Sequence, residues 1–81
     1  MILANKAAGF ISDPIETASR PWTILVRGNG TCTIELLSED GNWYSYQQIS
    51  GLTGANVIDV PTGKFRVRVP DGTSTTVELR T

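Results

Sequence analysis

Few residues of this sequence could do chemistry, and those few lack the partners that chemistry needs. The chain contains no histidine, which is the commonest general base and metal ligand. Its one cysteine, Cys32, stands at an apolar position of a predicted strand, where a buried and unreactive thiol is expected rather than a nucleophile. The serines have no base to activate them. The sequence therefore predicts no catalytic residue and no cofactor, and we expect that the protein is not an enzyme.

Two adjacent carboxylates, Glu39 and Asp40, stand close to Asn42 and could in principle hold a cation. A calcium loop needs oxygen ligands at alternating positions and usually a further bidentate glutamate, and this segment lacks that pattern. The Asp-Gly pairs at 40–41 and 71–72 are typical turn sequences in their own right. We therefore expect turns at these positions and no metal site.

A basic stripe follows one predicted strand, where Lys64, Arg66 and Arg68 alternate with apolar residues and so share one face. The acidic residues that other strands offer as cross-strand partners are Glu35, Asp59 and Glu78. A solvated strand face explains the stripe better than an anion site does.

Composition excludes several classes of partner. The 81 residues carry a formal net charge of −1, so generic binding of nucleic acid is not expected. The apolar runs are far shorter than a membrane span, so no membrane partner is expected either. A single cysteine forms no internal disulfide, and the short apolar stretch at 7–11 is too weak for a secretory signal. We expect a protein made in the cytoplasm of its producing cell.

The elements that must position these residues are short strands. After Arg20-Pro21, β-rich runs alternate with turn residues, at 22–27, 31–37, 43–49, 56–60, 64–69 and 75–80. The positions expected to face the core are Trp22, Ile24, Val26, Cys32, Ile34, Leu36, Ile58, Val60, Phe65, Val67, Val69, Val77 and Leu79. Asn29-Gly30 lies between the first two runs and is a strong signal for a tight hairpin with positive φ at both residues. The sequence predicts an all-β fold, a small, hairpin-rich antiparallel β-sandwich of about six strands.

The chain divides into an irregular N-terminal arm, 1–20, and the sandwich domain, 21–81. Asp13-Pro14 breaks any helix in the arm, because the residue before a proline is pushed out of the α region. A flexible tail is one interpretation. The large apolar side chains of the arm, above all Phe10 and Ile11, favour a segment that orders on a partner or on a neighbouring subunit. We predict that these two residues bind that partner.

Three aromatic residues cluster on the third predicted strand, where Trp43 and Tyr44 point to opposite faces. If Trp43 faces the core, Tyr44 and Tyr46 lie together on the outer face beside Gln48. Exposed tyrosines suit a protein interface or the stacking of a sugar, and they also suit packing against a loop or the arm. Tyr44 and Tyr46 are therefore the second predicted partner-binding pair.

Three motifs carry a resemblance to a known family. They are GTCTIEL at 30–36, EDGNW at 39–43 and PTGKFRVRV at 61–69, and a threonine-rich strand follows them. The stretch 30–80, about two-thirds of the chain, resembles the small β-sandwich accessory and decoration proteins of tailed bacteriophage virions. That family has no catalytic residues, and its members commonly form homo-oligomers and contact the particle through an N-terminal arm.

The resemblance implies a structural protein of the virion, assembled in the bacterial cytoplasm. A capsid decoration or cementing protein, docked in many copies on the major capsid protein or another virion protein, is the leading hypothesis. A tail or head-tail accessory protein of the virion is an alternative to this hypothesis. The alternative from another class is a carbohydrate- or surface-binding β-sandwich module that uses the aromatic cluster of the third strand.

Overall fold

Two antiparallel sheets make up the computed structural model, which describes residues 1–18, 20–50, 55–58 and 63–81, with 55–58 described by their backbone. The strands are β1 (Ile2–Lys6), β2 (Phe10–Ile11), β3 (Ile15–Glu16), β4 (Trp22–Gly28), β5 (Thr31–Leu37), β6 (Trp43–Ser50), β7 (Ala55–Ile58), β8 (Lys64–Val69) and β9 (Thr75–Arg80). The four-stranded sheet has the order β1-β9-β4-β7. The five-stranded sheet has the order β2-β8-β5-β6, and β3 also pairs with β8. The predicted all-β sandwich is confirmed.

The core lies between the two sheets and follows the predicted alternation. The four-stranded sheet contributes Ile24, Val26, Val77 and Leu79, and the five-stranded sheet contributes Cys32, Ile34, Ile49, Phe65 and Val67. All of these side chains are buried, while Trp22 and Leu36 are half-buried against them. The inward orientation predicted for Ile58 and Val60 stays a prediction, because Ile58 is described by its backbone alone and Val60 lies outside the described residues.

The hairpin predicted at Asn29-Gly30 is wrong. Strand β4 pairs with β7 and β9, whereas β5 pairs with β6 and β8, so this dipeptide carries the chain from one sheet to the other. The positive φ falls on Gly28, at 111°, and not on the two residues after it. Oδ1 of Asn29 accepts hydrogen bonds from the backbone N–H groups of Thr73 and Ser74, at 3.0 and 3.1 Å. The Asn29 side chain therefore joins its own loop to the loop at 73–74, and the Asn-Gly dipeptide does not close a hairpin.

Hairpins are also fewer than predicted. Among described strands that follow one another in the chain, β5 and β6 are the pair that hydrogen-bond directly. Their turn is the predicted one, with Ser38 N donating to Asn42 O at 2.8 Å and Gly41 N donating to Ser38 O at 3.0 Å. Most other connections carry the chain from one sheet to the other. Successive strands therefore cover the core from opposite sides.

The first 18 residues are not an irregular arm, since they form three short strands. Strand β1 extends the four-stranded sheet beside β9, while β2 and β3 both pair with β8. Between β2 and β3 the pairing is interrupted before Pro14, whose nitrogen carries no hydrogen. At this point Ser12 bonds to β8 in place of regular backbone pairing. Its N–H donates to Val67 O at 2.8 Å, and its Oγ accepts from Val67 N at 2.9 Å. Leu3 and Ile15 hold the three N-terminal strands on the sandwich, because both side chains are half-buried and pack against the core.

Candidate functional site

A cavity of about 410 Å3, lined by both apolar and polar residues, opens between β1 of one sheet and the β2–β3 edge of the other. We name it the N-terminal groove. Its lining residues are Met1, Leu3, Lys6, Phe10, Ile11, Ser12, Asp13, Pro14 and Ile15. All of them belong to the predicted arm, so the arm builds a concave surface on the sandwich of its own chain.

Both predicted partner-binding residues of the arm line the N-terminal groove. Phe10 is half-buried, and Nζ of Lys6 lies 4.6 Å from the centroid of its ring. Ile11 lies opposite Arg68 in the strand register and exposes 49% of its surface. Both residues border the groove but from opposite faces of β2, since Phe10 lies opposite the buried Val69 and Ile11 opposite Arg68. Their binding of a partner stays a prediction.

The outer face of the five-stranded sheet carries a cluster of charges around Glu35, which is 8% exposed. Its Oε1 accepts from Nε of Arg66 at 2.7 Å, and its Oε2 accepts from Nε of Arg68 at 3.1 Å. The Arg66 guanidinium also lies 4.4 Å from the ring centroid of Trp43, which places that ring on the outer face. The predicted cross-strand partner Glu35 is confirmed, and the basic stripe is an ion-paired surface rather than a freely solvated one.

A second cavity, of about 300 Å3, lies on the same outer face, and we name it the sheet cavity. Its lining residues are Thr33, Ser45, Tyr46, Gln47, Gln48 and Arg68. Thr33 is 3% exposed, and its Oγ1 has no hydrogen-bond partner among the described residues. Sequence reasoning missed Thr33, because a threonine on a strand face gives no signal of its own.

A β-bulge separates the two tyrosines that were predicted to act together. The register passes from Ile34 opposite Gln47 to Glu35 opposite Ser45, which leaves Tyr46 without a directly opposite residue. Tyr46 lines the sheet cavity, whereas Tyr44 donates from its hydroxyl to Oδ2 of Asp40 at 2.7 Å. Both rings are about half exposed, but they belong to different parts of the surface.

Two groups that could do acid, base or nucleophilic chemistry, Cys32 and Asp40, have pKa values shifted by their surroundings. Burial raises the pKa of the Cys32 thiol to about 12. The pKa of Asp40 is lowered, first by the hydrogen bond from the Asn42 backbone N–H and next by the Tyr44 hydroxyl. In the part of the chain that the structure describes, no group of three or more Cys, Asp or Glu residues could hold a metal ion. No helix among those residues is long and apolar enough to cross a membrane.

Comparison with known proteins gives no relative: no family model, no curated protein and no solved structure matches this chain.

Proposed function

We propose that this protein is a structural component of a phage virion, and specifically a capsid decoration or cementing protein. The observation that carries the proposal is the N-terminal groove, an accessible cavity of about 410 Å3 lined by residues between positions 1 and 15. The resemblance of residues 30–80 to virion accessory proteins suggests that the particle is the virion of a tailed phage. The protein would act as a homo-oligomer on the major capsid protein or on another virion protein.

The mechanism is geometric rather than chemical. A groove between two sheet edges offers contacts from Phe10 and Ile11 to an extended segment of a partner. Strand β1 beside it is the edge strand of the four-stranded sheet among the described residues. A shell presents the same segment many times. Since many copies bind at once, each contact can be weak while the coat as a whole stays attached.

The first experiment is quantitative mass spectrometry of gradient-purified particles of the source phage. A copy number comparable to that of the major capsid protein is the expected result for a decoration protein. A low but definite copy number would overturn decoration in favour of the tail or head-tail alternative. Absence from the particle would overturn the virion proposal altogether.

A second experiment tests the docking surface. Ile11→Asp places a charge in the N-terminal groove at a half-exposed position, so the fold should tolerate it. Leu37→Asp is the matched control, because Leu37 is 37% exposed and lies outside the groove. We expect co-sedimentation with particles to be lost for Ile11→Asp and kept for Leu37→Asp. Equal co-sedimentation of both variants would contradict docking through the groove.

A further inference from the structure

We propose that the sheet cavity is a binding site for a sugar that carries a carboxylate, of the uronic acid class. This site lies apart from the N-terminal groove, so it does not depend on docking to a particle. It also differs from the aromatic platform expected from the sequence, because only one of the two exposed tyrosines lines it.

A row of polar side chains crosses three strands at the floor of the cavity. Thr33 of β5 lies opposite Arg68 of β8 on one side and opposite Gln48 of β6 on the other. Residues that are directly opposite in antiparallel strands share a face, so the three side chains are neighbours on the outer face. The cavity thus combines a hydroxyl, a guanidinium and an amide.

Three buried threonine hydroxyls, those of Thr17, Thr33 and Thr75, have no hydrogen-bond partner among the described residues. Of these three residues, Thr33 is the one that lines the sheet cavity, and it is 3% exposed. A buried polar group without a partner costs about 1–3 kcal/mol, so such groups are normally satisfied by something. The Thr33 oxygen itself is buried, so a ligand hydroxyl in the sheet cavity would become its partner once the side chains over that oxygen move aside.

The charges at the cavity select an acidic ligand. Two guanidiniums, those of Arg66 and Arg68, share the single carboxylate of Glu35, which leaves one positive charge in excess. Arg68 contacts Glu35 through Nε and lines the cavity. A planar guanidinium has five N–H donors and can bind a carboxylate through two parallel hydrogen bonds.

The remaining lining residues select a sugar ring rather than a bare anion. Tyr46 is 49% exposed at the cavity, and an aromatic face packs against the apolar face of a sugar. The amide of Gln48 offers both donors and acceptors to ring hydroxyls. A volume of about 300 Å3 is at the small end of ligand pockets, which suits one monosaccharide unit.

The test is an NMR titration of the intact 15N-labelled protein with three probes: sodium glucuronate, glucose and sodium acetate. We expect saturable shifts of the amides of Thr33, Tyr46, Gln48 and Arg68 with glucuronate, and at least fivefold weaker binding of glucose and of acetate. Equal affinity for glucose would overturn the role of the carboxylate. Equal affinity for acetate would overturn the sugar, and no saturable shift with any probe would overturn the site.

Three variants test the residues of the site. Thr33→Val removes the buried hydroxyl at nearly constant volume, and Tyr46→Ala removes the ring at the cavity. We expect each to weaken glucuronate binding at least fivefold while the amide spectrum stays that of a folded protein. Tyr44→Ala is the matched control, since that ring is equally exposed but lies outside the cavity, and its affinity should equal that of the wild type. Unchanged affinity in Thr33→Val and Tyr46→Ala would overturn the proposal.

Discussion

Glu35 accepts a hydrogen bond of 2.7 Å from Nε of Arg66, although only 10% of the glutamate side chain is exposed. A carboxylate so far removed from water has to be compensated by charge and by hydrogen bonds. The compensation is supplied by two guanidiniums of the neighbouring strand, since Arg68 occupies the second carboxylate oxygen. The arrangement ties β5 to β8 across the outer face of the five-stranded sheet.

We expect Glu35→Gln to lower the free energy of unfolding by about 2–3 kcal/mol. The substitution removes the one negative charge between two guanidiniums, and the loss of one partner from a largely buried ion pair is strongly destabilising. Solvent reaches both arginines, which are 23% and 36% exposed, so the loss should fall short of that for a fully buried pair. Urea unfolding followed by circular dichroism measures it.

The control for that substitution is Glu16→Gln. Glu16 lies 3.7 Å from Nζ of Lys64, and its side chain is 71% exposed. An exposed pair of this kind contributes little, so we expect a change below about 0.5 kcal/mol. Similar losses in the two variants would show that the burial of Glu35 has no energetic consequence.

Gly30→Ala should destabilise the protein by about 2–3 kcal/mol. A Cβ at this buried position would overlap Oγ1 of Thr75 and the backbone carbonyl of Asp71, and a backbone carbonyl cannot move aside cheaply. Gly41→Ala is the comparison, since its Cβ meets open space and only the positive φ of 86° opposes it, which costs about 1 kcal/mol. Thermal unfolding of the two variants should rank them in this order, and the reverse order would contradict the close approach at Gly30.

The strands after residue 20 could be predicted because their signal is local. Phe65, Val67 and Val69 alternate with the basic stripe, and that period of two is enough to place them on the buried face. The path between strands could not be predicted in the same way. Asn29 has the local sequence of a hairpin, yet its side chain bonds to Thr73 and Ser74, more than 40 positions away.

The candidate surfaces were predictable only in part. Phe10 and Ile11 stood out because large apolar residues without a strand pattern need an explanation, and they do line a groove. The sheet cavity was hidden, because it depends on the bulge at Tyr46 and on the pairing of Thr33 with residues of two other strands. Register between distant strands is a property of the assembled sheet rather than of any one segment.

Cys32 should make the protein less stable at alkaline pH. Burial raises its pKa in the folded state to about 12 from the ordinary value of 9.0. Between these two values the unfolded chain has lost the thiol proton and the folded chain still holds it. The free energy of unfolding therefore has its full value below pH 9 and falls as the pH rises towards 12. The slope approaches about 1.4 kcal/mol per pH unit. Urea unfolding at several pH values measures it.

Cys32→Ala isolates this effect from the other groups that titrate at high pH. The variant loses the thiol contacts in the core at every pH, so it should be less stable than the wild type at pH 7. Because it has no thiol to ionise, the difference between the two proteins should shrink above pH 9. A difference that stays constant from pH 7 to pH 11 would contradict a buried, proton-retaining thiol.

Tyr44→Phe should raise the pKa of Asp40 without returning it to the ordinary value of a carboxyl group. Two donors lower this pKa, first the Asn42 backbone N–H, 2.9 Å from Oδ1, and next the Tyr44 hydroxyl, 2.7 Å from Oδ2. The variant removes only the second, so the lowering should become smaller and keep its sign. A lowered pKa favours the fold above the ordinary pKa of the carboxyl group, and this contribution is lost as the pH falls through the folded value. NMR titration of the Asp40 side chain in both proteins measures the change, with Tyr46→Phe as the control that should leave it unaltered. An unchanged Asp40 titration in Tyr44→Phe would mean that the hydroxyl makes no such bond in solution.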